Sequence, residues 1–208
     1  MFKLDQGKVA VKYARNVIEE FVKNSKVPIS NLKGVFEERH GAFVTINSYP
    51  NHNLRGCIGI PLPVMPLKDA ISEGACSATN DPRFLPLEEN ELDSIVVEVT
   101  ILGVPELIIV DEPKDYLSKI ELGRDGLIVE QGFYKGLLLP QVPIEHKLNK
   151  EEFLSHTCMK AGLMADAWFD ERTKISKFTG HIFYETKPRG EIKEKKLDGF
   201  HSWRKNLY

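Results

Sequence analysis

Residues 41–60 read GAFVTINSYPNHNLRGCIGI, and the way this stretch folds decides the rest of the chain. Phe43-Val44-Thr45-Ile46 is bulky and β-branched, which suits a strand. Ser48 to Asn53 is rich in turn formers, and Leu54 to Ile60 (LRGCIGI) reads as a second strand, so a β-hairpin is expected. Pro61, Pro63 and Pro66 end it, and Pro66 sits well at the start of a helix running to about Asn80. Asn80-Asp81-Pro82-Arg83-Phe84 breaks that helix. Ser94 to Leu102 (SIVVEVTIL) is then a third strand, with Ile95, Val97, Val99 and Ile101 on one face.

The second half repeats this order. Gly126 to Glu130 is a strand, Gln131 to Tyr134 a turn and Lys135 to Leu139 a strand, ended by Pro140 and Pro143. A helix follows from about Lys150 to Leu163, with Asn149 as N-cap, Glu152 in the capping-box position and Gly162 near its end. Phe178 to Glu185 is the closing strand. GAFVTIN matches DGLIVEQ, RGCIGIP matches KGLLLPQ, and each helix carries a central cysteine, in ACSA and TCMK. The expected fold class is therefore α+β: two β-β-α-β units from an internal duplication, with an amphipathic N-terminal helix. That helix, about Asp5 to Asn24, repeats Ala10, Val11, Ala14, Val17, Ile18 and Phe21 at three- and four-residue steps, the signature of one apolar face. Within one domain spanning 1–208, the first copy covers 30–105 and the second 112–186. The helix (1–25) and a C-terminal extension (187–208) pack on them, with Phe200 and Trp203 as docking points.

Lys and Arg total 28 and Asp and Glu 30, so there is no strong net field to attract a polyanion. The basic tail after Lys187 is diluted by Glu191, Glu194 and Asp198, which makes nucleic-acid binding a minor alternative. Three widely spaced cysteines (Cys57, Cys76 and Cys158) form neither a disulfide framework nor a CxxC zinc site, and they fit a reducing compartment. No signal peptide and no membrane-length apolar run is visible, so a cytoplasmic location is expected. The six histidines make no HxH or HExxH spacing. With no Walker A motif and no GxGxxG, the sequence supports neither a metal site nor a nucleotide or flavin cofactor.

Chemistry concentrates in LRGCIGI. Alternation puts Arg55, Cys57 and Gly59 on one face and Leu54, Gly56, Ile58 and Ile60 on the other. A guanidinium beside a thiol favours the thiolate. Gly59 would leave a gap beside the sulfur, and the amides around Gly56 and Gly59 could bind an oxyanion. Against this, free cysteines are often buried as small hydrophobes, and the second copy has Leu137 where the first has Cys57. Cys76 and Cys158 read as structural. Asp81 and Arg83 offer either an internal ion pair that fixes a loop or an anion site. Glu98, opposite the apolar face of its strand, is a candidate general base. His52 and His181 are weaker candidates for approaching the thiol or a cleft.

At LRGCIG the chain resembles the AMMECR family, named after a human chromosomal region deleted in a multi-symptom syndrome. Matching pieces follow in order: Gly41 to Thr45, Leu54 to Gly59, Asp81 to Phe84, Val97 to Leu102, Gly126-Leu127, Gly136 to Val142 and Lys160 to Leu163. The resemblance implies an α+β duplication, a cleft at Leu54 to Gly59, and association with Memo-type or radical-SAM proteins. It implies no particular reaction and no cofactor. Two functions stay open. One is an enzyme acting on a small polar or anionic molecule, with Cys57, Arg55 and Glu98 as catalytic groups and Gly56, Gly59, Asp81 and Arg83 in binding. The other is a non-catalytic module that binds protein or nucleic acid.

Overall fold

A computed structural model describes residues 2–195. It is α+β, with antiparallel pairing between its strands, and it divides into two compact units. One unit runs to Gly103 and takes back His181–Lys195, and the other runs from Val104 to Gly180.

The first unit opens with α1 (Leu4–Asn24), where the Gln6 side chain accepts the Lys3 N–H and Ser25 turns left-handed to close the helix. Its apolar stripe is buried through Ala10, Val11, Ala14, Val17 and Ile18, so the helix belongs to this unit's core. The hairpin follows as β1 (Ala42–Ser48) and β2 (Leu54–Ile60), then α2 (Leu67–Thr79) and β3 (Ile95–Leu102). β1 pairs antiparallel with β2 on one side and β3 on the other, which leaves β2 at the edge. Val44, Ile46, Val97 and Val99 face the helices and are fully buried.

The second unit holds a two-residue strand β4 (Glu106–Leu107) and a short helix α3 (Tyr116–Lys119). Its hairpin is β5 (Asp125–Gln131) and β6 (Tyr134–Leu138), followed by α4 (Val142–Glu145) and α5 (Lys150–Lys160). Asn149 caps α5, its side chain accepting the Glu152 N–H at 2.9 Å, as the sequence spacing predicts. The core is built on Leu127, Val129, Phe153, Leu154 and Trp168.

The closing strand β7 (Lys174–Glu185) is longer than expected. Its first part pairs with β5, and its last residues, from His181, belong to the first unit and pair with β8 (Ile192–Lys195). The copy boundary read at 186 therefore differs from the observed division at Gly180. β8 lies in the stretch expected to be a surface extension, yet Ile192 is buried in the first core. Phe200 and Trp203 lie outside the described residues.

Two glycines make the same contact in the two units. A Cβ on Gly56 would meet the Ala78 carbonyl of α2 at 2.1 Å, and one on Gly136 would meet the Ala161 backbone just past α5 at 2.3 Å. Each hairpin's second strand thus touches the backbone at the end of its following helix, at the residue that needs no side chain. The shared contact sets a residue-by-residue correspondence between the two hairpins. It also corrects the strand alignment by one residue: Gly56 pairs with Ile46 and Gly136 with Val129, so Ile46 corresponds to Val129 and not to Glu130.

Candidate functional site

Pairing register brings three polar side chains into one row. Thr45 on β1 lies opposite Cys57 on β2 and opposite Glu98 on β3. Directly opposed residues share a face, so all three point away from the α1–α2 core. The Thr45 hydroxyl donates to the Cys57 sulfur at 3.2 Å. Lys195 on β8 brings its Nζ to 3.8 Å from a Glu98 oxygen. Cys57 and Glu98 were candidates from sequence, but Thr45 was not, because no single strand shows its cross-strand partner.

The loop after α2 closes the edge of this row. Cys57 turns its N–H and C=O away from β1, where an edge strand leaves such groups unpaired. Asp81 accepts the Cys57 N–H at 2.9 Å, and Arg83 donates to the Cys57 carbonyl at 3.3 Å. Asp81 also accepts the Arg83 Nε–H at 3.0 Å, the Nη2–H at 2.7 Å and the Arg83 backbone N–H at 3.0 Å. The pair does the work of a next strand. The Asp81 side chain is about 1% exposed, and the Arg83 guanidinium with its backbone donors holds the carboxyl well below the usual carboxylate range. Arg83 itself is more than half exposed, with its guanidinium 5.7 Å from the Phe84 ring centroid. The internal ion pair read from sequence is present, and it leaves Arg83 accessible beside Cys57.

Two other expectations fail on geometry. Arg55 does not serve the thiol. Its Nε and Nη2 grip Glu91 at 2.8 and 2.9 Å, and it also donates to the Leu85 and Pro86 carbonyls. Glu91 lies 36 residues further along the chain, so no local pattern announces it. Gly59 leaves no gap either. The Phe43 ring and the β1 backbone already lie within 2.6 Å of where its Cβ would be, so the glycine admits a neighbouring strand and an aromatic ring. Gly56 is likewise taken up by contact with α2.

Burial pushes the Cys57 thiol up, the charges of Glu98 and Asp81 add to this, and the Thr45 hydroxyl and Arg83 only partly offset it. These surroundings favour the thiol, the buried-cysteine alternative of the two sequence readings, over the thiolate that an adjacent guanidinium would favour. The histidines lie elsewhere. His52 sits at the hairpin turn, edge-on to Tyr49, and buried His181 faces Phe2 and approaches Glu194 at 3.4 Å. Cys158 is fully buried, and burial pushes its thiol up to about 11. Cys76 is only half-buried and, with Phe21, Ile58 and Pro82, lines a cavity of about 310 Å³. Ile58 places that cavity on the opposite side of β2 from the Cys57 row. Among the described residues no cluster of His, Cys, Asp and Glu is arranged to hold a metal ion. No helix among them is long and apolar enough to cross a membrane.

Known proteins match this chain along nearly its whole length. Protein MJ0810 of Methanocaldococcus jannaschii is 55% identical over 95% of this chain and 98% of its own. Protein PH0010 of Pyrococcus horikoshii is 49% identical over 95% of this chain and 99% of its own. The crystal structure of the uncharacterized PH0010 superposes with a TM-score of 0.83, at 48% identity, over 94% of this chain and 98% of that one. The AMMECR1 family model matches residues 11–183, which span the hairpin, the Asp81–Phe84 loop and both units. By the LRGCIG strand, the fold and this match together, the chain belongs to the AMMECR1 family.

Proposed function

We propose that the chain is an enzyme acting on a small polar or anionic molecule bound on the Cys57–Thr45–Glu98 face. The observation that carries this is the register: three reactive side chain types from three strands stand in one row, on the face turned away from the α1–α2 core, where Cys57, Thr45 and Glu98 stay partly exposed between buried neighbours such as Val96 and Thr100. Arg83 takes the substrate's negative charge, since Asp81 fixes its direction while more than half of the side chain stays accessible. Glu98, with Lys195 beside it, is the acid–base group. Cys57 contributes a neutral S–H that can donate a hydrogen bond or give up its proton once a base approaches. The raised thiol also favours a second reading, a module that binds without catalysis.

Native mass spectrometry of the purified protein separates the two. The enzyme reading expects a co-purified small anion on the wild type that is lost in Arg83→Gln and reduced in Cys57→Ser. A wild type that carries no small molecule, or one retained unchanged by both variants, overturns it.

A further inference from the structure

The second unit contains a cleft of about 730 Å³, larger than the one beside Cys76 and within the range of ligand pockets. Its walls mix polar side chains, among them Asp166, Asp170 and Arg172, with large apolar ones left open to solvent: Tyr134 at 55% exposure, Phe169 at 47% and Met164 at 77%. Two of these walls are held in place. The Phe169 ring packs on the buried Trp168 ring with centroids 3.7 Å apart, and the Trp168 indole N–H donates to the Ser155 hydroxyl. The Tyr134 ring lies over Gly162, 3.5 Å from where a Cβ would be, and φ there is +81°, which favours glycine. A hydrogen-bonded chain from Gln131 through Thr173 to the Ala167 carbonyl fixes the floor.

Charge then decides what the cleft takes. Arg172 is folded onto Asp170, which accepts its backbone N–H and its Nε–H and Nη2–H, so this cation is already matched. Asp166 lines the same cleft and has no ion-pair partner among the described residues. Fixed aromatic faces, a thioether and an unmatched carboxylate are complementary to an organic cation whose charge is spread over apolar groups. We infer that this cleft is a binding site for a methylated ammonium group, separate from the Cys57 face and independent of the function proposed for it. The group could belong to a free amine or to a methylated lysine side chain.

The test is titration of the whole protein, followed by the amide NMR shifts of Gly162 and Asp166. The ligands are choline, N-acetyl-trimethyllysine methylamide and dimethylbutanol, the neutral carbon isostere of choline. The expected result is saturable binding of at least one cation, with the isostere about tenfold weaker or worse. Asp166→Asn and Phe169→Leu should each weaken the cation severalfold, and a preference between choline and the lysine derivative identifies the source. Equal binding of cation and isostere, no binding of either cation, or binding that survives both substitutions overturns the site. Both variants change exposed side chains, and the undisturbed shifts of Leu127 and Val129, in the core of the same unit, report that the fold is kept.

Discussion

At the scale of residues, identity mattered less than partners. Cys57 was legible as the unusual residue of its strand, but its state was not, because the groups that set it sit on other strands and a distant loop. Arg55 shows the same limit: a cation two residues from a thiol looks like its activator until Glu91 claims it. Asp81 carries the sharpest prediction. It is buried and accepts one N–H from the edge strand and three from Arg83. Asp81→Ala strands the Cys57 N–H and should cost about 2 kcal/mol, seen as a lower midpoint in urea. The pH dependence has a definite sign. Because the folded-state pKa is depressed, Asp81's contribution is full above about pH 4, its unfolded value, and is lost as the pH falls through the folded one. The stability gap between wild type and Asp81→Asn should therefore be constant near neutrality and shrink in acid.

At the scale of elements, strands with period-two alternation and helices with marked caps were readable. So α1, the first hairpin, β3 and the Asn149 cap stand within a residue or two of where the sequence puts them. β8 was missed because Ile192 is its single apolar residue in a run of charges (IKEK), which reads as solvated chain. The contacts at Gly56 and Gly136 give a paired prediction. Gly56→Ala and Gly136→Ala each push a Cβ into helix-end backbone, which cannot yield as a side chain can. Each should cost about 2 kcal/mol or more and lower Tm by at least about 4 °C, measured by calorimetry. A second contact joins helix to sheet. Arg15 of α1 donates to the Leu92 and Ile95 carbonyls and grips Glu185, which in turn accepts the Val97 N–H. Arg15→Met leaves Glu185 charged and buried. The loss should be about 3–5 kcal/mol by chemical denaturation. Glu185→Gln alone should cost less, since an amide can still accept the Val97 N–H.

At the scale of the whole molecule, each unit carries its own core and its own hairpin–helix contact. What differs between the units locates the candidate function. Cys57 in the first corresponds to Leu137 in the second, and Glu98 corresponds to Ser176, because Glu98 pairs with Thr45 and Ser176 with Ile128. The first unit alone carries the full thiol–hydroxyl–carboxylate row. That row, with a neutral thiol whose proton is held partly by Glu98's charge, is the central claim. Its most direct test is the pH dependence of Cys57 alkylation by iodoacetamide, followed by peptide mass spectrometry in wild type and Glu98→Gln. The account predicts a wild-type midpoint above that of free cysteine and a lower midpoint in Glu98→Gln. A wild-type midpoint at or below neutrality, unmoved by Glu98→Gln, would contradict it.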